Sequence, residues 1–130
     1  MRIFKTKTLA KFTRQHGISD DRLIDAVDRA VRGLVDADLG GQIIKQRVAR
    51  PGQGRRGGFR MIIGIHSDRA IFLFAFAKNE RENIDEAEMM TLREIVASFL
   101  DAAEEKIAQA LKDGALIEVQ HGSENKKDKE

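Results

Sequence analysis

Residues 70–77 read Ala-Ile-Phe-Leu-Phe-Ala-Phe-Ala, a run with no polar position to mark an outer face. It is too short to cross a bilayer as a helix. From Ile71 to Ala77 it fits a strand buried on both sides, with Phe72, Phe74 and Phe76 on one face and Ile71, Leu73 and Ala75 on the other. Such a strand belongs in the middle of a sheet with a layer packed on each side. The preceding segment supplies a neighbour. Phe59, Met61, Ile63 and Ile65 share one parity, Arg60, Ile62, Gly64 and His66 the other, and Ser67-Asp68-Arg69 makes the turn. Gln42 to Ala49 reads as a third strand, with Lys45, Arg47 and Ala49 on one parity.

Helical spacing flanks these strands. From about Thr6 to His16, Leu9 and Phe12 share a face with Thr13 and His16, and Gly17 suits a C-cap. Ser19 suits an N-cap, followed by Asp20 and Asp21 where the helix dipole favours anions. Leu23, Val27, Val31 and Leu34, widened by Ile24 and Val35, form a stripe that ends at Gly40-Gly41. Two successive helices predict an antiparallel hairpin, and Arg2 to Lys5 a short edge strand before it. Asp85 and Glu88 form a capping-box pair for a last helical segment. Its stripe is Leu92, Ile95, Val96, Phe99, Ile107 and Leu111, its stop is Gly114, and its length predicts a break near Asp101. Ala115 to Val119 suits a short strand. The 130 residues thus predict one α+β domain over 1–119 and a polar, disordered tail over 120–130.

Composition removes whole classes of chemistry. Without cysteine there is no disulfide framework, thiolate zinc site, iron–sulfur cluster or cysteine nucleophile. No His/Asp/Glu spacing resembles a metal site, and Ser19, Ser67, Ser98 and Ser123 lack the context of a nucleophile elbow. The start, MRIFKTKTLAKF, carries Lys5, Lys7 and Lys11 and no signal-peptide apolar region, so a cytoplasmic protein without membrane association is expected.

Charge is distributed unevenly. Residues 42–69 hold seven basic residues (Lys45, Arg47, Arg50, Arg55, Arg56, Arg60 and Arg69) against Asp68 alone, whereas residues 70–130 hold eight basic and fourteen acidic ones. A basic centre rich in arginine attracts and orients a phosphate polyanion, although the acidic segment could equally neutralise it as a charged surface. The loop Arg50-Pro51-Gly52-Gln53-Gly54-Arg55-Arg56-Gly57-Gly58 offers fork-shaped donors and close backbone approach. It is not a Walker loop, since no Gly-Lys-Ser/Thr follows and it leads into a strand. Arg60 sits just past it, held by a strand. Its bland reading is a surface arginine paired with an acid such as Glu80. After the buried strand comes Lys78-Asn79-Glu80-Arg81-Glu82-Asn83. There Lys78 or Glu80 could move a proton and Arg81 could neutralise phosphate charge, or the stretch is a solvated turn. His66 shares the parity of Arg60, though a lone strand histidine is more often structural.

The order of parts resembles the RelE/ParE superfamily of type II toxins, with the RelE-like, HigB-type branch the closest match. DADLGGQIIKQRVARPGQGRRGGFRMII and FLFAFAKNERENID carry the resemblance, supported by the helix hairpin. It implies a small curved antiparallel sheet with an N-terminal helix hairpin and a C-terminal helical segment. It also implies an endoribonuclease that cuts messenger RNA on the ribosome without metal or other cofactor, silenced by an antitoxin. Operator DNA would be bound only through that antitoxin. By this resemblance Arg60 holds the scissile phosphate, Lys45 and Arg47 match the basic strand, and Lys78 and Arg81 fall in the family's Lys-x-Glu-Arg stretch. With Glu80, these give Arg60, Lys45, Lys78 and Glu80 as catalytic candidates, and Arg47, Arg50, Arg55, Arg56, Arg81 and His66 as RNA or phosphate contacts. Lys45, His66 and Glu80 remain the candidates for proton donor. RelE itself has an arginine where Asn79 stands and a messenger-stacking tyrosine where Asp85 stands. A ParE-type gyrase inhibitor on the same fold is the second reading. A non-catalytic RNA-binding module is the third, weakened because Tyr and Trp are absent and most Phe are expected to be buried.

Overall fold

The apolar hairpin forms the centre of the molecule. In a computed structural model describing residues 1–52, 57–78 and 84–120, β4 (Phe59–His66) and β5 (Arg69–Ala77) pair antiparallel from Phe59 opposite Ala77 to His66 opposite Arg69. The other elements are β1 (Arg2–Thr6), α1 (Lys7–His16), α2 (Asp20–Val31), β2 (Ala37–Gly40), β3 (Ile43–Val48), α3 (Glu86–Leu100), α4 (Glu104–Asp113) and β6 (Leu116–Glu118). Six strands form one open sheet in the order β2-β3-β4-β5-β1-β6, antiparallel except where β1 runs parallel to β5. The α+β class is as the sequence predicts.

Helices cover both faces. α1 and α2 pack through Leu9, Leu23, Ala26 and Val27 onto Ile3, Ile44, Met61, Ile63 and Phe72. On the other face, α3 and α4 bring Met89, Leu92, Val96, Leu100 and Ile107 onto Phe4, Ile43, Ile62, Ile71 and Leu116. Each fully buried side chain of this kind contributes about 1.5–3 kcal/mol of transfer free energy. At Gly64 the sheet admits α3 closely, since a Cβ there would lie 2.8 Å from Val96 Cγ2.

Local signals explain most boundaries. Thr6 caps α1 by accepting from the Leu9 N–H, and Gly17 ends it in the left-handed region. Asp85 and Glu88 complete a reciprocal capping box on α3. The long C-terminal helix does break, α3 ending at Leu100 with Asp101 as its cap, and α4 stopping at Gly114.

Ser19 is the N-cap of α2 as the sequence predicts, with Asp20 and Asp21 in the first turn, although its side chain makes no capping bond. Three expectations are corrected. β1 is not an edge strand: it lies between β5 and β6. The α2 stripe stops early, leaving Val31, Leu34 and Val35 exposed, because the chain leaves the helix after Val31 and forms β2 before Gly41. The three phenylalanines of β5 do not share a face. Ile62 pairs with Phe74 but Ile63 with Phe72, so Leu73 is an extra residue, a bulge that reverses parity. Phe72 therefore packs towards α1 and α2, whereas Phe74 and Phe76 join the α3 side. The tail expectation for 121–130 lies outside the described residues.

Candidate functional site

Strand register assembles the cationic side chains. Arg47 of β3 stands opposite Arg60 of β4, which stands opposite Phe76 of β5. One step along, Lys45, Ile62 and Phe74 form a second row on the same face. Directly opposite residues are about 5 Å apart and diagonal ones about 7 Å, so Lys45, Arg47 and Arg60 lie within reach of one small anion. This row sits beyond the part of the sheet that Val96 covers over Gly64.

Like charges opposite each other on a sheet destabilise it unless something compensates. For Arg47 the compensation is Asp36, which accepts from the Arg47 backbone N–H at 2.7 Å and from its guanidinium at 3.1 Å. Burial opposes ionisation of Asp36. The Arg47 hydrogen bonds and charge, with Arg29 adding to them, outweigh it and hold the Asp36 carboxyl below its ordinary range. Arg29 in turn donates to the Arg47 carbonyl at 2.7 Å and to Asp25 at 3.2 Å, so the charges behind Arg47 are matched among themselves. Arg60 is different. Its Nη1 is buried and has no hydrogen-bond partner, and among the described residues no acid pairs with it. A buried donor without a partner is costly, and because the residue as a whole is only half-buried, part of the side chain stays open to an anion.

The structure brings together only part of the predicted set. Lys45 is half-buried beside Arg60, and Lys78 is exposed immediately after β5. Arg50 is directed elsewhere: its guanidinium carbon lies 4.5 Å from the centroid of Phe59, in a cluster with Phe12 and His16 on the α1 side of the sheet. It anchors the root of the loop rather than joining Arg60. Gly58 secures the other side of that root, since a Cβ there would lie 2.0 Å from the Val48 carbonyl oxygen. His66 has the parity of Arg60 but stands six residues away, about 20 Å along the strand. Its Nδ1 lies 2.9 Å from Gln42 Nε2. Arg55, Arg56, Glu80 and Arg81 lie outside the described residues, as does Asn79.

Sequence reasoning missed Asp36, whose role depends on the β2–β3 pairing that carries it to Arg47. It also missed the exposure of Phe74, a half-buried ring turned onto the Arg60 face by the bulge. Among the described residues no group of three or more His, Asp or Glu side chains is placed to hold a metal ion, and no helix is long and apolar enough to cross a membrane.

No curated protein matches the chain significantly. A family model does: that of the RelE toxin of the RelE/RelB toxin-antitoxin system matches residues 1–119, from β1 through β6. The chain belongs to the RelE toxin family, and is thus the toxin of a toxin–antitoxin system with an antitoxin as its partner.

Proposed function

We propose that this toxin is a messenger-RNA endoribonuclease acting in the ribosomal A site, of the HigB-type branch, and that Arg60 binds the scissile phosphate. The observation that carries this reading is the unpartnered, buried Nη1 of Arg60 beside Arg47 and Lys45. In the reaction a ribose 2′-hydroxyl loses its proton and attacks the adjacent phosphorus. The bond to the 5′-oxygen breaks, and that oxygen takes up a proton. The products are a 2′,3′-cyclic phosphate and a 5′-hydroxyl. Negative charge accumulates on the non-bridging oxygens during the attack, where a preorganised guanidinium is most effective. Arg47, held in place by Asp36, supplies a second positive group across the strand.

Proton transfer falls to groups near this row. Lys45 lies on the Arg60 face and Lys78 at the end of β5, so both remain candidates, together with Glu80. His66 is too far along β4 to serve the same phosphate. Arg55, Arg56 and Arg81 are retained as RNA contacts on charge alone, and Arg50 as an anchor of the loop that carries the first two.

The test is the chemistry of the product ends. A defined messenger is incubated with the protein with and without programmed ribosomes. The proposal expects ribosome-dependent fragments whose 5′ ends accept phosphate from a kinase directly and whose 3′ ends carry a cyclic phosphate. Intact messenger in both arms, together with inhibition of gyrase supercoiling, would replace the reading with the gyrase one.

A further inference from the structure

β3 has one polar side chain among the positions it turns towards α2. Ile44 and Val48 join the core on that side, and between them Gln46 is fully buried. An amide in that place is costly unless its hydrogen bonds are made. Gln46 makes three. Its Nε2 donates to the carbonyls of Ala26 at 3.0 Å and Leu34 at 3.2 Å, and its Oε1 accepts from the Asp36 N–H at 2.7 Å.

Two of these bonds fasten the connection between α2 and β2, residues 32–36. The apolar side chains there, Leu34 and Val35, are exposed rather than seated in the core, so hydrogen bonds fix the path of the chain. The Leu34 N–H bonds back to the Arg29 carbonyl at 2.8 Å, and Gln46 holds the Leu34 carbonyl and the Asp36 N–H. Asp36 ends the connection at the edge of the sheet, where β2 begins to pair with β3. From there its carboxylate reaches the Arg47 backbone and guanidinium, and Arg47 projects from the face opposite Gln46.

We propose that Gln46 is a positioning residue for the phosphate row: from the face beneath α2 it places Asp36, and Asp36 places the Arg47 guanidinium opposite Arg60. The proposal rests on the reading of that row as a phosphate site. It extends the site through the sheet to a residue that no substrate touches. A long side chain held in one geometry before the substrate arrives has less freedom to lose in the transition state, and a misplacement of about 1 Å can cost about 100-fold in rate. An apolar residue between Ile44 and Val48 would fill the same space, yet it would leave the Asp36 N–H without its acceptor.

The test is single-turnover cleavage of a messenger on programmed ribosomes, with full-length variants compared at equal folded concentration. Arg47→Ala should slow cleavage about 50-fold. Gln46→Met, close in volume but unable to hold Asp36, should slow it about 5-fold and change the half-saturating protein concentration less than about 2-fold. In the double variant the loss should equal that of Arg47→Ala alone, since Gln46 acts through Arg47. Asp36→Ala, at a side chain that is partly exposed, should behave as Gln46→Met does in both backgrounds. It gives the reading even if the methionine variant does not fold.

A glutamine that serves the fold alone would lower the folded fraction and leave the rate per folded molecule at the wild-type value. That result, a wild-type rate in Asp36→Ala, or a loss in the double variant that multiplies the loss from Arg47→Ala would overturn the positioning role. Slow cleavage by Arg47→Ala in those same experiments would leave the phosphate row standing. Wild-type cleavage by Arg47→Ala would remove Arg47 from the row, and the role of Gln46 would fall with it.

Discussion

Arg60 and Arg69 lie on the same face of the sheet at opposite ends of one hairpin, and they are used in opposite ways. Arg69 is buried, and its guanidinium donates to the carbonyls of Phe99, Leu100 and Ala102 and to the Glu104 carboxylate. It ties β5 to the end of α3 and the start of α4, satisfying carbonyls that a helix terminus leaves open. The Arg69 hydrogen bond is the main reason that the Glu104 carboxyl titrates below its ordinary range. Arg60 has a buried nitrogen with nothing to donate to. Arg50 Nε is likewise buried without a partner although its guanidinium stacks on Phe59, so an unmatched donor alone does not distinguish Arg60; its place on the sheet opposite Arg47 and diagonal to Lys45 does.

That contrast can be broken experimentally. The largest effect is expected at Arg60: Arg60→Ala should slow messenger cleavage on the order of 10²–10³-fold. Its melting temperature should stay the same or rise, because an unsatisfied group leaves. A drop in stability matching the loss of activity would place Arg60 with Arg69 as a structural residue. Arg69→Ala should do the reverse, losing about 3 kcal/mol of stability in urea titrations by taking the guanidinium from the Leu100 and Ala102 carbonyls and from Phe99, whose carbonyl keeps backbone donors, with the folded fraction still active. At the loop root, Gly58→Ala forces a Cβ against the Val48 carbonyl and should cost about 2 kcal/mol by the same measurement, since backbone must move to relieve it. Asp85→Ala removes the capping box of α3 and should cost about 1 kcal/mol.

The smallest effect sharpens the comparison at Arg47. Asp36 has a lowered carboxyl pKa in the folded state, so its ionised form is favoured by folding. Its contribution is complete above the unfolded carboxylate value of about 4 and is lost as pH falls through the lower folded value. Asp36→Asn should therefore flatten the acid limb of stability against pH and leave the neutral plateau slightly lower. An unchanged acid limb would show that the Asp36–Arg47 pair carries no linkage.

What the sequence disclosed follows physical lines. The paired centre of the sheet, the capping box at Asp85 and the break near Asp101 depend on periodicity and local hydrogen bonding, and all three were legible. β2 was not, because Ala37-Asp38-Leu39-Gly40 has neither β-branched residues nor a buried face, and it forms only by adding to β3. The interior place of β1 depends on its two partners, Ile71 and Phe72 on one side and Leu116 to Glu118 on the other. Five apolar or basic residues at the start of a chain do not announce such neighbours. The bulge at Leu73 was illegible because a run apolar on both faces looks the same with either parity. For the candidate site, the shared parity of Lys45 and Arg47 was readable along one strand, whereas their grouping with Arg60 came from the resemblance and depends on a β3–β4 register that the sequence does not state. Arg50 misled, since its sequence beside the loop gave no sign that it stacks on Phe59 across the sheet.

The most direct measurement is primer-extension mapping of one messenger on programmed ribosomes with wild type, Arg60→Ala and Arg69→Ala side by side, each at equal folded concentration. The account expects the same cut positions for wild type and Arg69→Ala, and none for Arg60→Ala. Wild-type cutting by Arg60→Ala would contradict it, because the unpartnered guanidinium would then hold no scissile phosphate.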